Sequence, residues 1–550
     1  MNLASVWEAI ADRLGEQPAL LHAGDPLAWA EFEHRAARLA AHLEDAGLGS
    51  DSKLALYLYN CSEYAVATFA AFKRSAVPVN VNYRYLEAEL EYLLQNSDSE
   101  AVVASVDLLD RLAEVMDRLP AVATVIAVGD SDSVPAGVVS RFGDRLHFFD
   151  DVIAAHEPAA RREAEMSDLW FLYTGGTTGM PKGVMWPHSS LLEAAAPTFR
   201  IIGAEVPRTP EQAADTAARF AEVGKSVRML AAAPLMHGTS GIPMLGVLSA
   251  GGSVATLASR SLDARELAEA VQRDRVGQLN IVGDAFAKPI VAELDRAAVA
   301  GEPWDMSSLK VVVSSGTMWS KETKEALLAH CDVVLADLLG SSEGTGMAAS
   351  VSKRNESVGT ARFSLGENST VLTDDGRTVQ PGSGEQGVLA VGGPIPIGYY
   401  KDPEKTAETF REVDGRVWSI PGDHATVEAD GTITLLGRGS ACINTGGEKV
   451  YPEEVEEALK LHASVLDANV VGLDDERWGQ RVCAVVSLDA SAGAAVADEA
   501  ALMAHCKEHL AGYKCPKVIV GVEQVQRGPN GKPDYKWAKA ELRSITRSAT

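Results

Sequence analysis

Through 32–43, apolar residues recur every three or four positions (Phe32, Ala36, Leu39, Ala40, Leu43), and Gly47 follows them. That spacing predicts an amphipathic helix with a glycine stop. Lys53-Leu54-Ala55-Leu56-Tyr57-Leu58 reads as a strand, 63–71 as a helix and Val77-Pro78-Val79-Asn80-Val81 as another strand. Short apolar runs continue at 101–104, 125–128 and 229–233, with further blocks at 253–257 and 309–315. Strands separated by helices predict α/β layers with mainly parallel sheets.

The texture changes twice further on. Residues 366–393 are rich in Gly, Asp and Val, with the run Gly387-Val388-Leu389-Ala390-Val391, which predicts a smaller β-rich piece. After Gly437-Arg438 come a helix at 453–461 opened by Pro452, strands at 466–472 and 482–487, and a helix at 500–510. The Ala-rich stretch 490–497 reads as a loop within this α+β unit. The expected fold class is multidomain α/β: a large N-terminal region of layered α/β subdomains plus a β-rich piece, then a small α+β C-terminal domain. The boundary is expected at 437–441.

Size and charge narrow the function. A chain of 550 residues is too long for one ordinary core. No apolar stretch is long enough to span a bilayer, and Met1-Asn2-Leu3-Ala4-Ser5-Val6-Trp7-Glu8 lacks the basic-then-apolar layout of a signal peptide. Cys61, Cys331, Cys442, Cys483, Cys506 and Cys515 show neither metal-knuckle spacing nor a disulfide frame, so a reducing cytoplasm is expected. Asp plus Glu outnumber Lys plus Arg by 76 to 50, a formal charge of −26, which opposes nucleic-acid binding. An anionic substrate such as ATP must then be met by local positive groups and Mg²⁺.

The richest chemistry lies in Tyr173-Thr174-Gly175-Gly176-Thr177-Thr178-Gly179-Met180-Pro181-Lys182-Gly183, directly after the strand-like run Leu169-Trp170-Phe171-Leu172. Glycines allow close backbone approach, hydroxyls and free N–H groups hold phosphate oxygens, and lysine adds a positive point charge. The spacing is not that of a Walker A loop, because Met180 and Pro181 separate Gly179 from Lys182, and Gly183 follows. The bland alternative is a tight surface turn; the preceding strand and the closing lysine favour a phosphate cradle.

With four later segments, this loop resembles the acyl- and aryl-CoA synthetases of the adenylate-forming (AMP-dependent synthetase/ligase) superfamily. The segments are Leu339-Gly340-Ser341-Ser342-Glu343-Gly344; Ile420-Pro421-Gly422-Asp423 with Gly431 and Gly437-Arg438; Ile443-Asn444-Thr445-Gly446-Gly447-Glu448-Lys449-Val450-Tyr451-Pro452; and Gly528-Pro529-Asn530-Gly531-Lys532-Pro533-Asp534-Tyr535. The resemblance implies two half-reactions. A carboxylate attacks the α-phosphate of ATP to give acyl-AMP and pyrophosphate; a mobile C-terminal domain (442–550) then turns on a hinge at 438–441 against the AMP- and acyl-binding region 1–437. Coenzyme A next takes the acyl group and AMP leaves.

By resemblance, Thr174, Gly175, Gly176, Thr177, Thr178, Gly179 and Lys182 embrace the β- and γ-phosphates. Glu343, with Thr174 near it, holds Mg²⁺; on residue type alone Glu343 would be a helix-start acid. Gly340, Ser341 and Ser342 form the adenine-side loop, and Ser314-Ser315-Gly316-Thr317 the other wall. Leu339 stands where many relatives carry an aromatic residue. Asp423 binds the ribose hydroxyls and Arg438 lies near ribose and phosphate; Asp423 alone would read as a turn residue. Lys532 serves adenylation, although Asn530-Gly531-Lys532 alone would be a solvated turn. Gly446, Gly447 and Lys449 match the loop serving the thioester step. Gly439-Ser440-Ala441 lacks the charged residue that many relatives carry at the hinge, where Ser440 stands.

For the acyl site, the resemblance points to Met236, His237, Gly283, Asp284 and Gly316. His237 either orients the carboxylate or is a structural histidine. Gly283 and Ala285 remove bulk. Asp284 either faces the pocket or caps the following helix, and capping is the favoured reading. Together with Gly175, where many relatives have Ser or Thr, these segments look most like an actinobacterial branch that activates sterol side-chain carboxylates and medium- or long-chain fatty acids. Rivals are a plain medium- or long-chain fatty acyl-CoA ligase, an aryl-acid CoA ligase, luciferase-like oxygenation of an adenylated acid, and an inactive nucleotide-binding scaffold. Expected small-molecule partners are a carboxylic acid, ATP and CoA, with no nucleic acid; a homodimer stays open.

Overall fold

The computed structural model describes residues 1–174, 180–317, 319–355, 362–438, 441, 443–445, 448–475, 479–489, 498–510, 512–528 and 532–548. The chain forms two compact units. The first comprises Met1–Thr360, Gly366–Asn368 and Val391–Ser419; the second comprises Ala361–Leu365, Ser369–Ala390 and Ile420–Thr550.

The first unit holds two sheets. In one, eight strands run in the spatial order Gly398–Tyr399, Lys182–Pro187, Leu169–Thr174, Val77–Asn80, Lys53–Tyr57, Ser99–Ser105, Thr124–Val128, Leu146–Phe148. All pairings are parallel except those of Lys182–Pro187, which runs antiparallel to both neighbours. In the other, Pro18–His22, Ser253–Thr256, Arg228–Ala231, Gln278–Ile281, Val311–Ser315 and Val334–Ser341 pair in parallel. Val334–Ser341 then folds back antiparallel on Gly344–Ser352. The expected parallel α/β layers are present, since helical crossovers join most of the strands.

Amphipathic helices cover these sheets. The helix predicted at 32–43 spans Trp29–Asp45 and buries Trp29, Phe32, Ala36, Leu39, Ala40 and Leu43. It starts earlier than predicted because Trp29 is itself core: its ring lies 5.6 Å from Phe32. Trp7 joins them, edge-on to Phe69 at 5.2 Å, with Nε1 donating to Ser249 Oγ at 3.0 Å. Under this aromatic core Lys73 is buried between Glu8 and Glu33, each at 2.6 Å, so the buried ammonium is compensated rather than orphaned. The strand predicted at 229–233 ends at Ala231, because the Asn60 amide takes the carbonyls of Ala231 and Ala233 at 2.9 and 3.1 Å.

The second unit contains a sheet in the order Glu448–Val450, Ile443–Thr445, Gly479–Leu488, Val465–Asp475, with Val518–Val522 beside Gly479–Leu488. Helices Pro452–Lys460, Glu499–His509 and Tyr535–Ser548 accompany it. It also holds Ser369–Ala390, most of the β-rich piece expected at 366–393, and the antiparallel pair Asp423–Val427 and Thr432–Arg438. The Ala-rich stretch 490–497 lies outside the described residues. Among the described residues no helix is long and apolar enough to cross a membrane.

Candidate active site

The phosphate-loop segment hangs from a strand pair whose last register is Thr174 opposite Lys182. Gly175, Gly176, Thr177, Thr178 and Gly179 lie outside the described residues. The base of the segment is rigidly held. Asn80, 1% exposed, accepts from Tyr173 N–H at 2.6 Å and donates to the carbonyls of Tyr173 and Met236 at 3.1 and 2.5 Å. One buried amide thus joins the strand before the loop to the segment carrying His237. Gly183 lets the Tyr173 ring lie across the strand, since a Cβ there would fall 2.5 Å from that ring.

Lys182 does not point into empty space. Its Nζ lies 2.6 Å from Asp402 Oδ2 and 5.7 Å from the centre of the Tyr399 ring. Asp402 also caps the helix Pro403–Thr409 by accepting Lys405 N–H at 2.9 Å. The Lys182 ammonium and that N–H hold the Asp402 carboxyl below the usual carboxylate range. Tyr399, whose ring Lys182 faces, donates its hydroxyl to Glu343 Oε1 at 2.8 Å. The two candidate phosphate-side charges are therefore wired through one tyrosine.

Glu343 sits in the turn between Val334–Ser341 and Gly344–Ser352, not at the helix start that its residue type alone suggests. Its N–H donates to Ser341 Oγ at 3.2 Å, and Trp186 Nε1 donates to Ser342 O at 2.9 Å. Gly344 is needed here, because a Cβ would lie 2.4 Å from Val391 Cγ1. Glu343 Oε2 has no protein partner among the described residues, and Glu343 and Thr174 are both half-buried. Hard oxygen donors with one side left open fit Mg²⁺, which keeps waters and takes few protein ligands. Leu339, also half-buried, pairs with Ala348, and the ladder is irregular between Leu339 and Ser341, across Gly340.

The candidate acyl residues converge in the same unit. His237 is half-buried and precedes the helix Gly238–Ser249. Asn280 Nδ2 donates to Thr239 O at 3.0 Å, and Gly283 N–H donates to Ser314 Oγ at 2.9 Å. Gly316, at φ +95°, has Thr239 Oγ1 and Val282 Cγ1 about a van der Waals contact from where a Cβ would be. Met236 is thus held by Asn80 and Gly283 by Ser314, while Gly316 lies beside Thr239 and Val282. Asp284 departs from the capping reading. It lies inside the first turn of the helix Gly283–Val299, which has no side-chain cap. Its carboxylate instead accepts Ser320 N–H and Oγ–H, both at 3.0 Å, anchoring the start of the helix Lys321–His330.

In the second unit, Asp423 pairs in register with Arg438 across adjacent strands, so the two candidate nucleotide residues are neighbours; Asp423 is a buried strand residue rather than a turn residue. Gly437, at φ +112°, is crowded: a Cβ would lie 2.1 Å from Glu453 Oε2. Lys532 O accepts Gly528 N–H at 2.8 Å, and Arg527 and Pro533 form an isolated bridge; residues 529–531 lie outside the described residues. Arg527 is itself anchored by its Nε on Asp467 Oδ2 at 2.7 Å, half-buried on both sides. Gly439, Ser440, Gly446 and Gly447 lie outside the described residues, and Lys449 is placed only as a strand residue opposite Asn444.

Residues 7–400 match the AMP-binding enzyme family, and residues 454–532 match the AMP-binding enzyme C-terminal domain. The chain belongs to the AMP-binding enzyme family. The enzyme is 39% identical over 98% of its length, and 96% of the relative's, to the medium/long-chain-fatty-acid–CoA/3-oxocholest-4-en-26-oate–CoA ligase of Mycolicibacterium smegmatis. It is 38% identical, over 98% of its own length and 95% of the relative's, to the 3-oxocholest-4-en-26-oate–CoA ligase of Rhodococcus rhodochrous. Its fold matches the crystal structure of the anthranilate CoA ligase AuaEII in complex with anthranoyl-AMP, with a TM-score of 0.80 at 20% identity, over 100% of this chain and 98% of that one. The enzyme is an AMP-forming acid–thiol ligase, activating a carboxylic acid with ATP through an acyl-adenylate and passing the acyl group to CoA.

Sequence reasoning missed Asn80, Asn60, Tyr399 and Asp402. Asn80 carried a signal, as the polar residue in the strand run Val77-Pro78-Val79-Asn80-Val81. Tyr399 and Asp402 carried none, because their roles depend on partners far away in the chain.

Proposed function

We propose that the acid is bulky and hydrophobic, either a sterol side-chain carboxylate or a medium- or long-chain fatty acid. The observation that carries this reading is near-full-length identity of 38–39% to ligases named for those acids. Small residues at Gly283, Ala285 and Gly316 support it, since they leave volume where side chains would otherwise project. The aryl-acid reading has only the shared fold behind it.

In this reading Thr174, the Gly175–Gly179 loop and Lys182 grip the pyrophosphate side of ATP. Asp423 and Arg438 hold the ribose side, and Gly340, Ser341 and Ser342 flank the base. Met236, His237, Gly283, Asp284 and Gly316 line the acyl side, with His237 orienting the carboxylate. Lys532 serves the adenylation step; Gly446, Gly447 and Lys449 serve thioester formation; residues 438–441 are the hinge between 1–437 and 442–550. When bound, Mg²⁺ neutralises charge that builds on the leaving phosphates. Glu343 and Thr174 are its candidate protein ligands, and Tyr399 fixes the orientation of Glu343. A reducing cytoplasm as the working compartment is supported by the free thiols of Cys61, Cys331, Cys483, Cys506 and Cys515.

The test is a CoA-dependent AMP-release screen with fatty acids of medium and long chain, steroid carboxylic acids and aromatic acids. Highest kcat/KM with a steroid or fatty acid is the expected result. Preference for benzoate-like acids would overturn the reading.

A further inference from the structure

The helix Glu499–His509 of the second unit carries a cluster that the ligase reaction does not use. Glu508 and His509 stand three and four residues after His505, so each is its neighbour on the helix surface. One ligand-type atom from each lies within 4.8 Å of the other two. We propose that His505, Glu508 and His509 bind a single borderline divalent transition-metal ion of the Zn²⁺ or Ni²⁺ type.

The hydrogen bonds around the two rings carry the argument. His505 Nε2 lies 3.0 Å from Ala458 O, and a carbonyl only accepts, so Nε2 holds the proton and Nδ1 keeps its lone pair. His509 Nδ1 lies 2.9 Å from His505 O, so there Nδ1 holds the proton and Nε2 keeps its lone pair. Each imidazole thus has one nitrogen fixed on a backbone carbonyl and the other left as a donor to a metal. That is the arrangement seen around metal-ligating histidines, where the second nitrogen binds a carbonyl and fixes the tautomer. His462 lies edge-on to His505 at 5.1 Å, but its Nδ1 accepts Ser464 N–H, so its other nitrogen carries the proton and it is a neighbour rather than a ligand.

Two imidazoles and one carboxylate select Zn²⁺, Ni²⁺ or Cu²⁺ over Mg²⁺ or Ca²⁺, so this site differs in kind from the oxygen donors Glu343 and Thr174. Three ligands leave water in the remaining positions. The helix ends at His509, and its C-terminal dipole favours a cation there. Because His505 is tied to Ala458 of the helix Pro452–Lys460, a bound ion would clamp the last turn of one helix while its ligand stays fixed to the other. The consequence is metal-dependent stiffening of the second unit.

The test uses the full-length enzyme, stripped with chelator and titrated with Zn²⁺ by calorimetry. The expected result is one Zn²⁺ per chain with a dissociation constant of about micromolar or tighter, and a melting temperature that rises with Zn²⁺. His509→Ala, at an exposed position, and His505→Gln, which keeps a donor for Ala458 O, are each expected to weaken binding at least tenfold. Both variants, stripped of Zn²⁺ and then assayed with excess Mg²⁺ and no added Zn²⁺, should keep ligase activity, which reports folding. No stoichiometric Zn²⁺ binding by the wild-type enzyme, or equal binding by both variants, overturns the proposal.

Discussion

The ammonium of Lys182 is held 2.6 Å from the carboxylate of Asp402, 220 residues away in the chain. The lysine that closes the phosphate loop therefore has a resident counter-ion. ATP must compete with Asp402 for it, and a polyphosphate wins by charge and by number of oxygens. Asp402→Asn keeps the helix cap, because Asn caps nearly as well as Asp, but removes the counter-charge. The expected outcome is a shifted KM for ATP, with kcat and melting temperature little changed; Lys182→Ala should raise that KM at least about tenfold. Identical ATP kinetics in Asp402→Asn would show that the pair does not regulate the lysine.

Tyr399 faces Lys182 with its ring and Glu343 with its hydroxyl. Tyr399→Phe keeps the ring and deletes the donor. Glu343 then loses the bond that orients Oε1, a change of about 0.5–1.5 kcal/mol for one hydrogen bond. A several-fold higher Mg²⁺ concentration for half-maximal activity is expected in a Mg²⁺ titration at saturating ATP. An unchanged Mg²⁺ curve would detach Tyr399 from the metal side of the site.

Lys532, whose carbonyl accepts Gly528 N–H, stands beside the bridge between Arg527 and Pro533. Lys532→Ala should lower ATP–pyrophosphate exchange by about 10²–10³-fold, the usual cost of losing a group that stabilises transition-state charge. Thioester formation from supplied acyl-AMP should stay near wild type. Equal losses in the two half-reactions would remove Lys532 from its assigned step.

His188 is fully buried, its ring edge-on to Phe72 at 4.2 Å, and its Nδ1 accepts Leu3 N–H at 3.2 Å. Burial pushes its pKa down to about 3. Burial, with His147 and His156 close by, also pushes His42 down to about 4. Both are neutral when folded, whereas an unfolded histidine takes a proton near pH 6.5. The unfolded state therefore binds more protons below that pH, and stability is lost as pH falls from about 6.5 towards 4. Melting temperatures from pH 7.5 down to 5 should fall, and the slope should flatten in a His42→Gln/His188→Gln double variant. An equally steep fall in that variant would assign acid sensitivity to other groups.

Much of the architecture was legible because burial imposes a period on the sequence. The helix at Trp29–Asp45 follows a three-to-four-residue apolar period, and the strands at Lys53–Tyr57, Ser99–Ser105 and Gly479–Leu488 follow short apolar runs too brief for a helix. Element ends were less legible. Arg228–Ala231 stops where a distant Asn60 takes its carbonyls, and Asp284 gives its carboxylate to Ser320 rather than to its own helix. Such choices are made by partners that no local window contains.

From the sequence, the chemistry class came through resemblance: the loop closed by Lys182 and the segments around Glu343, Asp423 and Lys532 match the motifs of adenylate-forming synthetases in order, and a motif match is legible in one dimension. The tertiary structure alone decided how those groups are restrained. Asn80 binds Tyr173 and Met236, Asp402 binds Lys182, and Tyr399 binds Glu343, each across dozens to hundreds of residues. Hydrogen bonds and ion pairs act over about 3 Å, and only folding brings such distant residues within that range.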